Sequence, residues 1–235
     1  MDQQGHAHPL SSAVSQIHSI FSGMGFEIAY GKEIIPEAQN FDILNFPPDH
    51  PARDTHDTFW IKGSKESTVA RTHISSLQVP YMLEHKPPLR MVSSGLVYRA
   101  EATDATHEAQ FHYTEGLVVE KGVTLAQLKG TLETFLGEFF GKNIPIRFRP
   151  GNFPFVEPGV EVEMQYTTKN GETRWLEMLG AGMVHPQVLK NGGIDGEEYQ
   201  GFAFGVGVNR LLLIKYGIPD VRLFYQGDLR FVNQF

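Results

Sequence analysis

No cysteine occurs in the 235 residues, so disulfides and thiolate metal sites are excluded. Ten histidines are present, but none falls in an H-E-x-x-H spacing, and a zinc site of that kind is rejected. There is no G-x-x-x-x-G-K-[ST] loop, so a nucleotide is not held in that manner, and no nucleophile-elbow sequence. No apolar run approaches membrane-spanning length, and the opening MDQQGHAHPL has neither a basic nor an apolar targeting region. Positive charge is scarce. Twenty Lys and Arg face 27 Asp and Glu, a formal charge of −7, which excludes a global basic field for non-specific nucleic-acid binding. The expectation is a soluble, cytoplasmic protein.

The chain does have apolar material for a real core, 41% hydrophobic and 11% aromatic, with only 20% charged residues. Repeats, low-complexity tracts and dividing linkers are not found. Apolar residues at helical spacing predict a helix over Pro9–Met24, capped by Ser11 or Ser12, and a second over Thr124–Phe140, capped by Thr124. A third helix is expected over Ser75–Glu84, with Ser75 as its cap. Strands are expected at Phe26–Ile34, Phe59–Ile61, Val69–His73, Leu89–Met91, Leu96–Arg99, Phe111–Glu120, Ile146–Arg149, Val160–Tyr166 and Thr173–Leu179. Lys169-Asn170-Gly171 reads as a hairpin turn, and the Pro-rich Phe41–Arg53 reads as loop. Many antiparallel strands with a few helices predict an α+β fold around a central, mostly antiparallel sheet flanked by helices.

The stretch GFAFGVGVNRLLLIKY, Gly201–Tyr216, is a glycine-punctuated strand running into an apolar helix with Arg210 at the junction. An arginine in such surroundings calls for either an internal carboxylate or a phosphate-bearing ligand. The segment YRAEATDATHEAQFHYTEG, Tyr98–Gly116, reads as a hairpin with a long polar tip and concentrates Arg99, Glu101, His107, Phe111 and Glu115. On an alternating strand Phe111, Tyr113 and Glu115 share a face, and an aromatic beside acceptors can hold a purine ring. With Arg210, Arg99 makes a pair able to clamp a triphosphate from two sides. In RTHISSLQ, the residues His73, Ser75 and Gln78 form a polar set suited to an α-amino or carboxylate group. In NFPFVEPGVEVEM, Phe153 and Phe155 are either pocket or core aromatics, while Glu161 and Glu163 are either metal ligands or solvated.

Together these segments resemble the α subunits of phenylalanyl-tRNA synthetases, the catalytic core of a class II aminoacyl-tRNA synthetase. The resemblance runs from GHAHPL through MGFEIAYG, RTHISSLQV, GLVYRAEATDATHEAQFHYTEGLVV, FRPGNFPFVEP and WLEMLGAGMVHPQVL to GFAFGVGVNRL and DLRFVNQF. It implies one class II catalytic domain over residues 1–235, with no N-terminal coiled-coil arm and no editing or anticodon-binding module. It further implies that Arg99 binds the α-phosphate of ATP, Phe111 stacks on adenine, Glu101 and His107 place the nucleotide's two ends, and Arg210 takes the γ-phosphate side. His73, Ser75, Gln78 and Glu115 would surround the amino acid's polar end. Phe153, Phe155 and Ala203 would enclose its phenyl ring, and Mg²⁺ would fall to Glu115, Glu161 or Glu163.

The implied substrates are phenylalanine, ATP and tRNA(Phe), and the implied assemblies are a heterotetramer with a β subunit or a homodimer. Three positions depart from the family's usual pattern. Tyr113 stands in place of a Gln, Asn209 in place of a Glu, and Lys32 in place of a Pro. Two other readings stand beside this one: a reduced paralog that forms an adenylate but charges tRNA poorly or takes another amino acid, and a non-catalytic amino-acid-binding regulator.

Overall fold

The computed structural model describes residues 5–54, 57–64, 66–141, 143–167 and 171–235. In chain order the elements are α1 (Pro9–Gly23), β1 (Glu27–Ile28), β2 (Ile34–Pro36), α2 (Glu37–Asn40), β3 (Thr68–Ala70), α3 (Gln78–Glu84), β4 (Leu89–Tyr98) and β5 (Gln110–Glu120). They continue with α4 (Leu125–Phe140), β6 (Ile146–Phe153), β7 (Val156–Thr167), β8 (Thr173–Val184), α5 (Pro186–Asn191), β9 (Gln200–Gly207), α6 (Val208–Tyr216) and α7 (Leu229–Val232). Seven strands form one sheet in the order β1-β4-β5-β9-β8-β7-β6. Every pairing in it is antiparallel except that of β1 with β4. The expected α+β class with a mostly antiparallel centre is what forms.

The alternation of β9 explains how the two faces of the sheet differ. Phe202, Phe204 and Val206 point into a core shared with α1, α4 and α6, while Ala203 and the glycines between point to the other face. Phe21 of α1 is fully buried at the centre of the first core, its ring 4.8 Å from Phe135, 5.2 Å from Phe204 and 5.1 Å from Phe26. The ring of Phe204 lies on Gly116 of β5, where a Cβ would come within 2.2 Å of it. A second core on the opposite face joins Leu117, Val119 and Ala203 to Tyr81, Met82, Val188 and the loop aromatics Phe41 and Phe46.

Helix α4 begins as its sequence requires. Thr124 and Gln127 form a reciprocal capping box, and Leu128, Leu132, Phe135, Leu136 and Phe139 are its buried stripe. Four expectations need correction. The α1 cap is His8, whose ring accepts from Leu10 N–H with Pro9 in the first turn, not Ser11 or Ser12. The strand expected over Phe26–Ile34 is broken, because Tyr30 is exposed and only Glu27–Ile28 pairs with β4. Near Phe59–Ile61 only a single bridge forms, from Trp60 to Val69. Conversely β4 is continuous through Ser93-Ser94-Gly95, which had read as a break. The turn expected at Lys169-Asn170-Gly171 has its first two residues outside the described residues.

Phe21→Ala removes a ring that three others contact. The expected loss is about 3–5 kcal/mol of unfolding free energy with an unchanged denaturant slope, read by urea unfolding followed by circular dichroism.

Candidate functional site

The open face of β5, β8 and β9 floors a cavity of about 500 Å³, a volume in the range of small-molecule sites. Its depth comes from small residues: Gly180 and Ala181 of β8 and Ala203, Gly205 and Gly207 of β9 all line it. Every expected site residue outside the metal set lines this one cavity: His73, Ser75, Gln78, Arg99, Glu101, His107, Phe111, Glu115, Phe153, Phe155, Ala203 and Arg210.

At one end sits Glu115, 3% exposed, on β5, a strand paired on both sides. Its Oε1 accepts from Ile74 N–H at 2.9 Å, and its Oε2 from the Ser75 hydroxyl at 2.6 Å and the Gln78 amide at 3.4 Å. Ser75 is therefore not the cap expected of it; its hydroxyl turns inward, and a short 3-10 turn, Ser75–Leu77, leads into α3. Burial pushes the Glu115 carboxyl up to about 7 despite these donors. His73 beside it is held neutral, pushed down to about 3 by burial and by the charge of Arg99. The buried Gln78 Oε1 has no hydrogen-bond partner among the described residues and remains an acceptor for a ligand.

The segment carrying His73 and Ser75 is not an extension of β3, which ends at Ala70. Buried Arg71 pins it instead. Its guanidinium donates to the carbonyls of Leu96 at 2.8 Å, Gly31 at 3.1 Å and Lys32 at 3.3 Å. Asn40 completes the anchor, accepting from Thr72 N–H and donating to the Thr72 hydroxyl.

An apolar wall adjoins this polar end. The Phe153 and Phe155 rings stack 6.1 Å apart, and Phe155 also lies 5.8 Å from Phe46 and 6.0 Å from His73. Phe153 lies over Gly180, where a Cβ would meet its ring at 2.9 Å. Ala203 is buried on the floor, in register with Leu117 and Gly182.

The other end is cationic and aromatic. The Arg99 guanidinium lies 5.1 Å from the centre of the Phe111 ring, and its ion-pair partner among the described residues, Glu101, is 4.0 Å away. Arg210, exposed in the first turn of α6, donates Nε to the Glu177 carbonyl at 2.9 Å and has no carboxylate partner among the described residues. Of the two options its sequence left open, an internal salt bridge is thus not formed. The loop between β4 and β5 is ordered by Asp104, whose carboxylate accepts from the N–H groups of Thr106 and His107 and lies 3.0 Å from His107 Nδ1. Val221 N–H anchors the same loop by donating to the Ala105 carbonyl.

The expected metal ligands are not brought together. Glu163 is engaged by Arg147 and, at 3.0 Å, by Arg149 of the edge strand β6, and neither it nor Glu161 lines the cavity. The Glu115 oxygens already have their donors. The described residues contain no group of three or more His, Asp or Glu placed to hold an ion. The candidate set leaves out further lining residues: Glu108, in the same polar segment as Arg99 and His107, and Glu177, Met178 and Leu179 on β8. An acidic residue inside an otherwise apolar strand was the available signal for Glu177.

A sequence model of the family described as "tRNA synthetases class II core domain (F)" matches residues 1–235. The chain is 49% identical over 233 residues to the phenylalanine--tRNA ligase alpha subunit of Xanthomonas oryzae pv. oryzae, covering 99% of this chain and 69% of that one. It is 50% identical over 242 residues to the protein of the same name from Dehalococcoides mccartyi, covering 98% and 70%. Among solved structures, pyrrolysyl-tRNA synthetase from Desulfitobacterium hafniense shares the fold, with a TM-score of 0.72 at 18% identity over 94% of this chain and 75% of that one. No helix among the described residues is long and apolar enough to cross a membrane.

The raised Glu115 carboxyl opposes the lowered His73 ring in pH dependence. Folded Glu115 keeps its proton where the unfolded chain has lost it, so its contribution falls as pH rises from about 4.5 to 7. His73 is neutral when folded, so its contribution grows from pH 3 to about 6.5. Glu115→Gln should leave the second trend alone, and its stability should climb more steeply than wild type between pH 5 and 7 in urea titrations.

Proposed function

The chain belongs to the class II tRNA synthetase core-domain family, of the kind found in phenylalanine--tRNA ligase alpha subunits, and we propose that its cavity joins phenylalanine to AMP and passes the phenylalanyl group to the 3′ end of tRNA(Phe). One observation carries the site assignment. A single cavity holds a buried carboxylate and an aromatic wall at one end and two arginines with an aromatic ring at the other. That is the polarity of an α-amino acid laid end to end with a nucleotide.

The roles follow from the chemistry. Glu115, with Ser75 and the free acceptor of Gln78, takes the ammonium, and His73 packs neutral beside it. Phe153, Phe155 and Ala203 enclose the phenyl ring. Phe111 offers a face to adenine, Arg99 holds the α-phosphate, and Arg210 holds the terminal phosphates. Glu101 and His107 position the two ends of the nucleotide. No protein nucleophile is needed. The amino-acid carboxylate attacks the α-phosphorus, the bond to the bridging oxygen breaks, and pyrophosphate leaves, with positioning and fixed charge lowering the barrier. Arg210 without a carboxylate partner favours a catalytic site over a module that binds only the amino acid.

A Mg²⁺ ion that travels with nucleotide phosphates needs only one or two protein carboxylates. Glu108 and Glu177 line the phosphate end and would supply them, in place of the Glu115, Glu161 and Glu163 expected at first. The ion would neutralise phosphate charge. Residues 1–235 form one catalytic domain in this reading, and the "alpha subunit" in the relatives' names points to a β subunit as partner.

Amino-acid-dependent ATP–pyrophosphate exchange tests the assignment. Arg99→Ala and Arg210→Ala should each lower exchange by about a hundredfold or more, the loss typical of a donor aimed at developing charge. Ala203→Gly should extend activity to para-substituted phenylalanines, because the lost methyl lies under the ring. Equal exchange in wild type and either arginine variant would sink the nucleotide assignment.

A further inference from the structure

Tyr113 lines the cavity with a hydroxyl donor to which its protein surroundings give nothing to do. Its ring lies edge-to-face with Phe111, centroids 6.0 Å apart, and leans along β5 over Gly205 of β9. A Cβ on Gly205 would stand 2.7 Å from the ring's Cε1 and 3.0 Å from its hydroxyl oxygen. The hydroxyl makes no hydrogen bond to any described residue. Glu115, which also packs against Gly205, is already held by Ile74, Ser75 and Gln78. Burial beside that carboxylate raises the phenol's pKa, so the group stays a donor at any working pH.

Its position along the cavity is what matters. Phe111 and Arg99 lie on one side of Tyr113, and Glu115 lies two residues along the same strand face on the other. In an aminoacyl-adenylate the carboxyl carbon is bonded to the carbon bearing the ammonium and, through one oxygen, to the phosphorus. If the ammonium is at Glu115 and the phosphate at Arg99, the carbonyl oxygen lies between them, where the unpaired donor stands.

We propose that Tyr113 is a catalytic residue of the acyl-transfer step, its hydroxyl donating a hydrogen bond to the carbonyl oxygen of the aminoacyl-adenylate. The inference rests on the reading of the site given above. In this step the terminal tRNA hydroxyl oxygen bonds to the carbonyl carbon, and the carbonyl oxygen takes up negative charge. The C–O bond to AMP then breaks, AMP leaves with the electron pair, and the hydroxyl proton passes to the departing phosphate oxygen. A donor at the carbonyl oxygen strengthens as that charge grows, so it acts more on transfer than on activation.

Tyr113→Phe removes only the hydroxyl and keeps the ring on Gly205. The variant, assayed with its β partner beside wild type, should melt at the wild-type temperature and bind ATP with an unchanged KM. Single-turnover transfer from preformed phenylalanyl-adenylate to tRNA should slow by about tenfold to a hundredfold, a hydrogen bond to developing charge. Pyrophosphate exchange should fall severalfold at most. Binding of a non-hydrolysable adenylate analogue, by calorimetry, should weaken. Unchanged transfer and unchanged analogue binding would overturn the proposal, as would a loss confined to the KM for ATP. A wild type silent in exchange with every amino acid would instead overturn the reading of the whole site, and this inference with it.

Discussion

A carboxylate buried in the middle of a sheet must be justified by what surrounds it, and Glu115 sets that requirement for much of this molecule. Its desolvation costs more than its three donors return, which pushes its carboxyl up to about 7 and favours the protonated form. The donors come from a segment with no regular structure of its own, so that segment has to be held by other means. Arg71 and Asn40 do this, tying the backbone around His73 and Ser75 to the end of β4 and to α2. Polar anchoring far from the ligand is thus part of the same electrostatic problem as ligand binding.

The two faces of the sheet divide the work. One is filled by Phe21, Phe135, Phe204 and their neighbours against α1 and α4, and makes the sheet rigid. The other is left low by glycines and alanines, and the cavity is the space they leave. Rigid strands at the centre suit chemistry that depends on positioning, because side chains on adjacent strands cannot drift apart without breaking the ladder. The two arginines of the cavity sit at its margins, Arg99 just past the end of β4 and Arg210 at the start of α6.

Much of this was legible in the chain. The helix α4 follows from its cap and stripe, and the β4–β5 hairpin from its polar tip between apolar runs. The errors share a cause: local chemistry was overridden by tertiary context. Ser93 and Ser94 read as a break, yet Ser93 is buried inside a continuous strand, and Ser94 bonds to Thr114 across the pair and to His18 of α1. Ser75 had the chemistry of a cap but was captured by Glu115. The candidate residues with a distinct motif context all line the cavity, whereas Met178 and Leu179, which line it too, look like any strand residues. Glu163 looked like a ligand because sequence cannot show that two arginines from the next strand already hold it.

Among the described residues, three aromatic rings of this sheet rest on a glycine of another strand: Phe204 on Gly116, Phe153 on Gly180 and Tyr113 on Gly205. Each pair works as a single shape divided between two positions far apart in sequence. Enlarging the glycine alone produces a collision, and shrinking the ring alone produces a void, so neither change is a tolerable first step. Lineages that alter one member are expected to have altered both, and these pairs should stand out as covarying columns across relatives while their neighbours drift freely. The pocket's shape is therefore inherited in linked units, which narrows the routes by which its substrate choice can evolve.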